Sequence, residues 1–193
     1  MGFSQSFVAA FKFTMQYEVG PNFNFEDPEV KLGLCESPSQ KKKTGYVCIA
    51  EDTGGETKFG IAKNSNTDVD IKKLTLEQAM QIYYDRYWKA VQCDVLDTPL
   101  AICLFDAAVN HGPGLSAKML QRAIGVNADG FIGPQTLSKI KQFNSRELCD
   151  IILKSREDLF KSIASNRPSQ QKFLKGWLSR VASIRSYIQK NYK

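Results

Sequence analysis

At 193 residues, with 42% hydrophobic and 24% charged content, the chain is long enough for one sizeable core, and its ordinary composition excludes disordered and collagen-like classes. Its longest uninterrupted apolar run, Leu100 to Phe105, falls far short of the roughly 20 residues a spanning helix needs, which predicts a soluble protein. The net charge of +6 is uneven: residues 1–110 hold 11 Lys+Arg against 15 Asp+Glu, net −4, and residues 111–193 hold 15 against 5, net +10. A basic half of this kind attracts polyanions such as nucleic acid, anionic lipid or the bacterial envelope.

In chain order, apolar side chains at positions 7, 8, 11 and 15 predict a helix over residues 3–17, stopped by Gly20-Pro21, so Glu18 falls at a helix C-terminus. From 21 to 62 the text turns to Pro, Gly, Asn, Lys and short β-prone pieces such as Tyr46 to Ile49, which reads as a loop with a small hairpin. Within it Lys41-Lys42-Lys43 reads as a solvated loop tip. Thr75 with Gln78 forms a capping box opening a second long helix, whose apolar side is Ala79, Ile82, Tyr83 and Trp88.

Thr98-Pro99 opens a third helix, with Thr98 as N-cap, and the nearly all-apolar segment that follows, ended by Gly112, predicts burial on every side. Further helices are predicted at roughly 115–124, 135–143, 146–165 and 170–190, by the same periodicity. The stripe Leu148, Ile151, Ile152, Leu159, Phe160, Ile163 and the stripe Phe173, Leu174, Trp177, Leu178, Val181, Ile184, Ile188 both read as core faces. The fold class is therefore mainly α with one small β lobe, and the Gly112-Pro113-Gly114 turn, where the charge switches, is the natural boundary between segments 1–112 and 113–193.

Five cysteines without CxxC spacing, and no export signal at the start of the chain, predict reduced structural thiols, with Cys35 and Cys48 the pair that could join under oxidising conditions. A single histidine makes zinc hydrolysis a poor fit, and His111 at the end of the buried helix reads as a capping group. Phosphate-binding loops and the serine-hydrolase elbow are absent. Gly2 and Ser6 match a short myristoylation pattern that occurs often by chance. What remains is carboxylates: Glu18 at its helix end, and Glu51, Asp52 and Glu56 along the glycine-bent turn that runs on to Thr57, Lys58, Phe59 and Gly60. If the β lobe folds back on the first helix, Glu18 and a second carboxylate face each other as glycoside hydrolysis requires.

Glu18-Val19-Gly20 after an amphipathic helix, followed by Asp52-Thr53-Gly54-Gly55-Glu56-Thr57-Lys58-Phe59-Gly60-Ile61, resembles the glycoside hydrolase family 108 lysozymes, many of them phage endolysins. Tyr84, Tyr87 and Trp88 resemble that family's aromatic helix, and Phe105 to Gly112 its central helix. Leu120 to Ala123, Asp129-Gly130, Ile132-Gly133-Pro134 and Thr136, with Phe173-Leu174, Gly176-Trp177 and Arg180, are similar to the predicted peptidoglycan domain that accompanies it. The chain departs from the family's Glu-Gly-Gly-Tyr at Val19 and Pro21, and its inserted loop around 21–50 has the choice of shaping the cleft mouth or of being plain surface.

The resemblance implies a lysozyme-like helical bundle around a central buried helix, with the β lobe forming one side of the cleft. It implies an N-acetylmuramidase cleaving the β-1,4 bond between N-acetylmuramic acid and N-acetylglucosamine, with Glu18 as general acid in apolar surroundings, protonated near neutrality. Asp52 stays ionised, with Glu51 and Glu56 as competitors for the second role, and Thr57 holds a water. Glu56, Phe59, Trp88 and Asn110 are the expected substrate contacts. No cofactor or metal is needed, and the partner is bacterial peptidoglycan, with the basic half drawn to the anionic envelope. A monomer is expected, made in a host bacterium's cytoplasm and acting on the wall after membrane permeabilisation, or carried in a virion. The competing readings are a lytic transglycosylase on the same substrate and a non-enzymatic basic module for nucleic acid, the last of which leaves Glu18 and the glycine turn without a purpose.

Overall fold

The computed structural model describes residues 2–48 and 55–192. The helices among them are α1 (Gln5–Glu18), α2 (Pro28–Leu32), α3 (Pro38–Thr44), α4 (Leu76–Tyr83), α5 (Thr98–His111), α6 (Pro113–Ala123), α7 (Pro134–Ile140), α8 (Ser145–Asn166) and α9 (Leu174–Asn191). Strands β1 (Thr57–Lys58) and β2 (Ile61–Ala62) form the antiparallel hairpin. The fold is mainly α with a small β element, as the periodicities predict. Two compact units emerge: residues up to Ala10 together with those from Arg86 onward, and Phe11–Asp85.

The first unit is built on α5, where every residue from Leu100 to Ala108 is buried. An uninterrupted apolar run can be satisfied only in the middle of a bundle, and α6 and α8 pack against it. Phe7, Trp88 and Phe105 meet edge-to-face, with ring centroids 5.3–5.7 Å apart. One charge interrupts this core. Asp106 is fully buried and receives Arg180 through Nε and Nη2 at 3.1 and 2.8 Å, while Arg156 Nη2 lies 2.8 Å from its other oxygen, so α5, α8 and α9 are tied at one carboxylate. Burial opposes ionisation of Asp106, but the two guanidiniums outweigh it and hold the carboxyl below its ordinary range.

Several helix details differ from the sequence reading. Thr98 is the first helical residue rather than the cap, and its hydroxyl hydrogen-bonds with that of Ser6 at 2.7 Å, while Asp97 occupies the cap position. On α8, Ile151 is 45% exposed and Leu153 is buried in its stead, because Cys149, Leu153 and Arg156 complete the inward face. Phe173 is 45% exposed: it ends a 3₁₀ segment, Pro168–Phe173, whose tighter winding puts it out of register with α9, whose buried side is Arg180, Val181, Ile184 and Ile188. His111 lies in the last turn of α5, where its Nε2 accepts from Arg156 Nε at 3.2 Å and its ring packs on Phe160. Burial, and then the neighbouring Arg156, push its pKa down to about 4, so it is a neutral acceptor.

In the second unit, the segment expected to be a loop contains α2 and α3. Each opens with proline in its first turn and closes on a glycine in the left-handed region, Gly33 and Gly45. Asp27 caps α2, and Ser37 with Gln40 forms a capping box on α3. Lys41, Lys42 and Lys43 are therefore the last turn of α3, where cations suit the helix dipole, and Lys43 reaches Asp27 at 2.9 Å and Glu29 at 2.6 Å. Helices of five and seven residues are too short to show a period, and for that reason the segment reads as a loop. All five cysteines are free thiols, with Cys48 exposed and the others buried.

Candidate active site

The hairpin between β1 and β2 is a two-residue turn, Lys58 pairing with Ile61, whose corner residues Phe59 and Gly60 have φ of 51° and 73°. Two consecutive left-handed residues define the type I′ turn, which matches the twist of the strands it joins, and glycine in the second place is its usual signature. Phenylalanine in the first place is strained, and three contacts hold it there. Its ring has no exposed surface, its N–H donates to Thr44 O at 2.8 Å, and its carbonyl accepts the Tyr83 hydroxyl at 3.0 Å. Strain held by surrounding contacts is a mark of functional turns.

The turn lies against the end of α1. A Cβ placed on Gly60 would come within 2.6 Å of the Tyr83 hydroxyl, 3.1 Å of Glu18 Cβ and 3.6 Å of Glu18 Oε2, so only glycine permits this approach. On the other side of the same helix end, the backbone of Gly45 sits against Val19, which would be 3.3 Å from a Cβ there. Glu18, half-buried at the end of α1, thus lies against the corner of the β-turn, which the Tyr83 hydroxyl also approaches.

Thr57 is held on both edges: its N–H and C=O exchange bonds with Val47 at 2.8 and 2.9 Å, and it pairs with Ala62 in the hairpin. Its neighbour Lys58 turns inward with no exposed surface and donates to Gly33 O at 2.8 Å and to Lys72 O, with Cys35 Sγ at 3.8 Å. Burial pushes the Lys58 ammonium below its ordinary pKa. Because side chains alternate along a strand, the inward Lys58 directs Thr57 to the opposite face. Glu56 is half-buried and accepts the hydroxyl of Tyr46 at 2.6 Å, an acceptor bond that pushes the Tyr46 pKa upward.

Of the residues singled out in the sequence, Glu18, Glu56, Thr57 and Phe59 share the second unit, with Phe59 as the buried anchor of the turn. Glu51 and Asp52 lie outside the described residues. Trp88 and Asn110 belong to the first unit. Trp88 is fully buried and donates from Nε1 to Asp94 at 2.7 Å, which gives it a packing role instead of a surface for substrate. Asn110 is half-buried, with its side-chain oxygen enclosed and unpartnered. Tyr83 was legible only as an apolar position of its helix; the Phe-Gly corner was the available hint, since a glycine turn between alternating residues signals a hairpin. No group of three or more His, Cys, Asp and Glu among the described residues is gathered to hold a metal ion.

Residues 40–112 match the family model described as glycosyl hydrolase 108, and residues 115–182 match that of a predicted peptidoglycan domain. Over those residues the chain is similar to glycosyl hydrolase 108 domains. The hydrolase match includes the whole hairpin and α5, and the peptidoglycan match begins within α6 and ends within α9. Among solved structures, the chain is similar to SagA of Brucella abortus, at 26% identity and a TM-score of 0.68, over 95% of this chain and 94% of that one. No curated protein matches. The two domains together make the chain a glycoside hydrolase of lysozyme-like type directed at peptidoglycan.

Proposed function

We propose that this hydrolase is an N-acetylmuramidase: it cleaves the β-1,4 bond between N-acetylmuramic acid and N-acetylglucosamine, with Glu18 giving its proton to the leaving glycosidic oxygen. The observation that carries the reading is the position of Glu18, a half-buried residue against the Phe59-Gly60 turn, close enough that a Cβ on Gly60 would lie 3.1 Å from its Cβ and 3.6 Å from its Oε2. General acids need a fixed geometry, and a side chain backed by packed backbone on a short turn supplies it.

The second carboxylate stays ionised to stabilise the oxocarbenium-like transition state. Asp52 is the first candidate for that role, with Glu51 and Glu56 as its competitors, and Glu56 accepts the Tyr46 hydroxyl. Thr57, locked in its strand and facing away from buried Lys58, is the hydroxyl that holds the attacking water, as an inverting reaction requires. The net +10 of residues 111–193 concentrates the enzyme on the anionic wall and envelope. The residue pattern that resembles phage endolysins supports a lysin made in the bacterial cytoplasm and acting on the wall from within, or one carried in a virion.

Wall clearing by the parent beside Glu18→Gln tests the assignment. Gln keeps the shape and cannot donate the proton, so clearing should fall at least about 100-fold. Equal clearing by the two proteins removes Glu18 from the mechanism. Fragment masses decide the chemistry: hydrolysis adds one water to each product pair, whereas 1,6-anhydro ends would make the enzyme a lytic transglycosylase.

A further inference from the structure

The first unit carries a recess of about 570 Å³ between the start of α5, α7 and the start of α8. Its floor is Leu96, Leu137 and Ile140, and its rim carries Val95 and Phe143, which are 66% and 36% exposed. Large apolar groups left open beside a cavity of ligand size mark a binding site more often than a plain surface does. Its charged groups are of opposite sign. Asp97 accepts the Ser145 hydroxyl at 2.7 Å, and Lys141 stands on the lining as a cation. A second recess of about 360 Å³ shares Asp97, Phe143 and Ser145 with the first and adds Arg146, so the surface is an elongated groove with an anion and two cations along it.

We infer that this groove binds the stem peptide of peptidoglycan. The inference rests on the reading of the chain as a peptidoglycan hydrolase, and it goes further by assigning recognition of the peptide to a surface distant in sequence from Glu18. Peptidoglycan offers two chemistries. The glycan is an uncharged run of hydroxyls and acetamides, which gives the anion and the two cations of the groove no partner of opposite charge. The stem peptide has small methyl side chains, free carboxylates and, in its diamino acid, a free ammonium. Methyl groups suit the Leu96, Leu137 and Ile140 floor, the carboxylates suit Lys141 and Arg146, and the ammonium suits Asp97. Most of the lining, Leu137 to Arg146, falls in the segment matched as a predicted peptidoglycan domain, while Val95 to Asp97 fall in the hydrolase match, so neither segment forms the groove alone.

The test is fluorescence anisotropy of a labelled stem tetrapeptide with the full chain, competed by unlabelled peptide and by glycan strands stripped of peptide with an amidase. Val95→Glu and Lys141→Glu change exposed side chains, and thermal melting confirms that both fold. The tetrapeptide should bind the parent, unlabelled peptide should displace it, and each variant should bind about tenfold more weakly, the scale of a reversed charge at a small site. No binding to the parent, or equal binding by both variants, overturns the assignment, and displacement by stripped glycan would give the groove to the sugar chain instead. A chain that binds the tetrapeptide yet clears no walls would refute the muramidase reading and leave the groove standing. A chain that clears walls without binding the tetrapeptide would do the reverse.

Discussion

Gly60→Ala is the sharpest probe of the turn that fixes Glu18. The φ of 73° at Gly60 costs alanine about 1–2 kcal/mol for the left-handed conformation. The added methyl would also lie 2.6 Å from the Tyr83 hydroxyl, so that hydroxyl must move and the carbonyl of buried Phe59 loses its partner, about 1–2 kcal/mol more. The sum is about 2–4 kcal/mol, a fall in melting temperature of roughly 5–12 °C for a chain of this size. Shifting the turn also displaces Glu18, whose Cβ is the second-nearest side-chain contact, and wall clearing should drop about 10- to 100-fold. Tyr83→Phe alone should cost about 1–2 kcal/mol through the lost bond to Phe59. The double variant discriminates: with the hydroxyl gone the closest clash is gone, so the combined cost should be smaller than the sum of the single costs by about 1 kcal/mol or more. Thermal and denaturant unfolding of the four proteins measures this. Strict additivity, or a Gly60→Ala protein as stable and active as its parent, would refute the close approach of turn, tyrosine and Glu18.

Asp106→Asn leaves Arg156 and Arg180 buried beside a neutral group and should cost about 3–5 kcal/mol, read as a lowered melting temperature. Because the folded Asp106 carboxyl lies below its unfolded value of 3.8, its contribution is intact above that value and drains as pH falls through the lower, folded value, so acid unfolding should begin at higher pH in the variant. His111 titrates in the unfolded chain near 6.5 and in the folded chain near 4, so the unfolded state takes up a proton first as pH falls between these values. The stability lost across that window, at most about 3 kcal/mol, should be absent in His111→Gln when denaturation midpoints are compared at pH 7 and pH 4.5. If residues 111–193 hold the enzyme on anionic walls, adsorption of Glu18→Gln to purified walls should fall severalfold as salt rises to roughly 0.5 M, where screening shortens to a few ångströms, and salt-independent adsorption would refute that attraction.

The elements that announced themselves in the sequence were those whose physics is local. The 14-residue α1 and α5 and the capping box at Thr75 and Gln78 each state their structure in a few neighbouring residues. Charged residues in the interior were less legible. Asp106 and Arg180 are 74 positions apart, and nothing in either neighbourhood says that one carboxylate will gather two guanidiniums. Lys58 gives no local sign of burial and is enclosed because Gly33 and Lys72 bring their carbonyls to it from distant turns. The insertion misled for a related reason: its helices are stabilised by caps, by Lys43 reaching back to Asp27 and Glu29, and by closing glycines, with too few turns to show a period.

Sequence alone determined the helical class and the buried central helix, since periodicity and caps are carried by the chain itself, and its resemblance to glycoside hydrolase family 108 lysozymes is what implied Glu18 as the acid to test. Only the tertiary structure decided that the Gly60 corner lies against Glu18, that Trp88 is packing, and that Asp97, Lys141 and Phe143 line one groove. Those facts depend on which distant backbones approach within a few ångströms, and that proximity is a property of the packed chain that no local run of residues encodes.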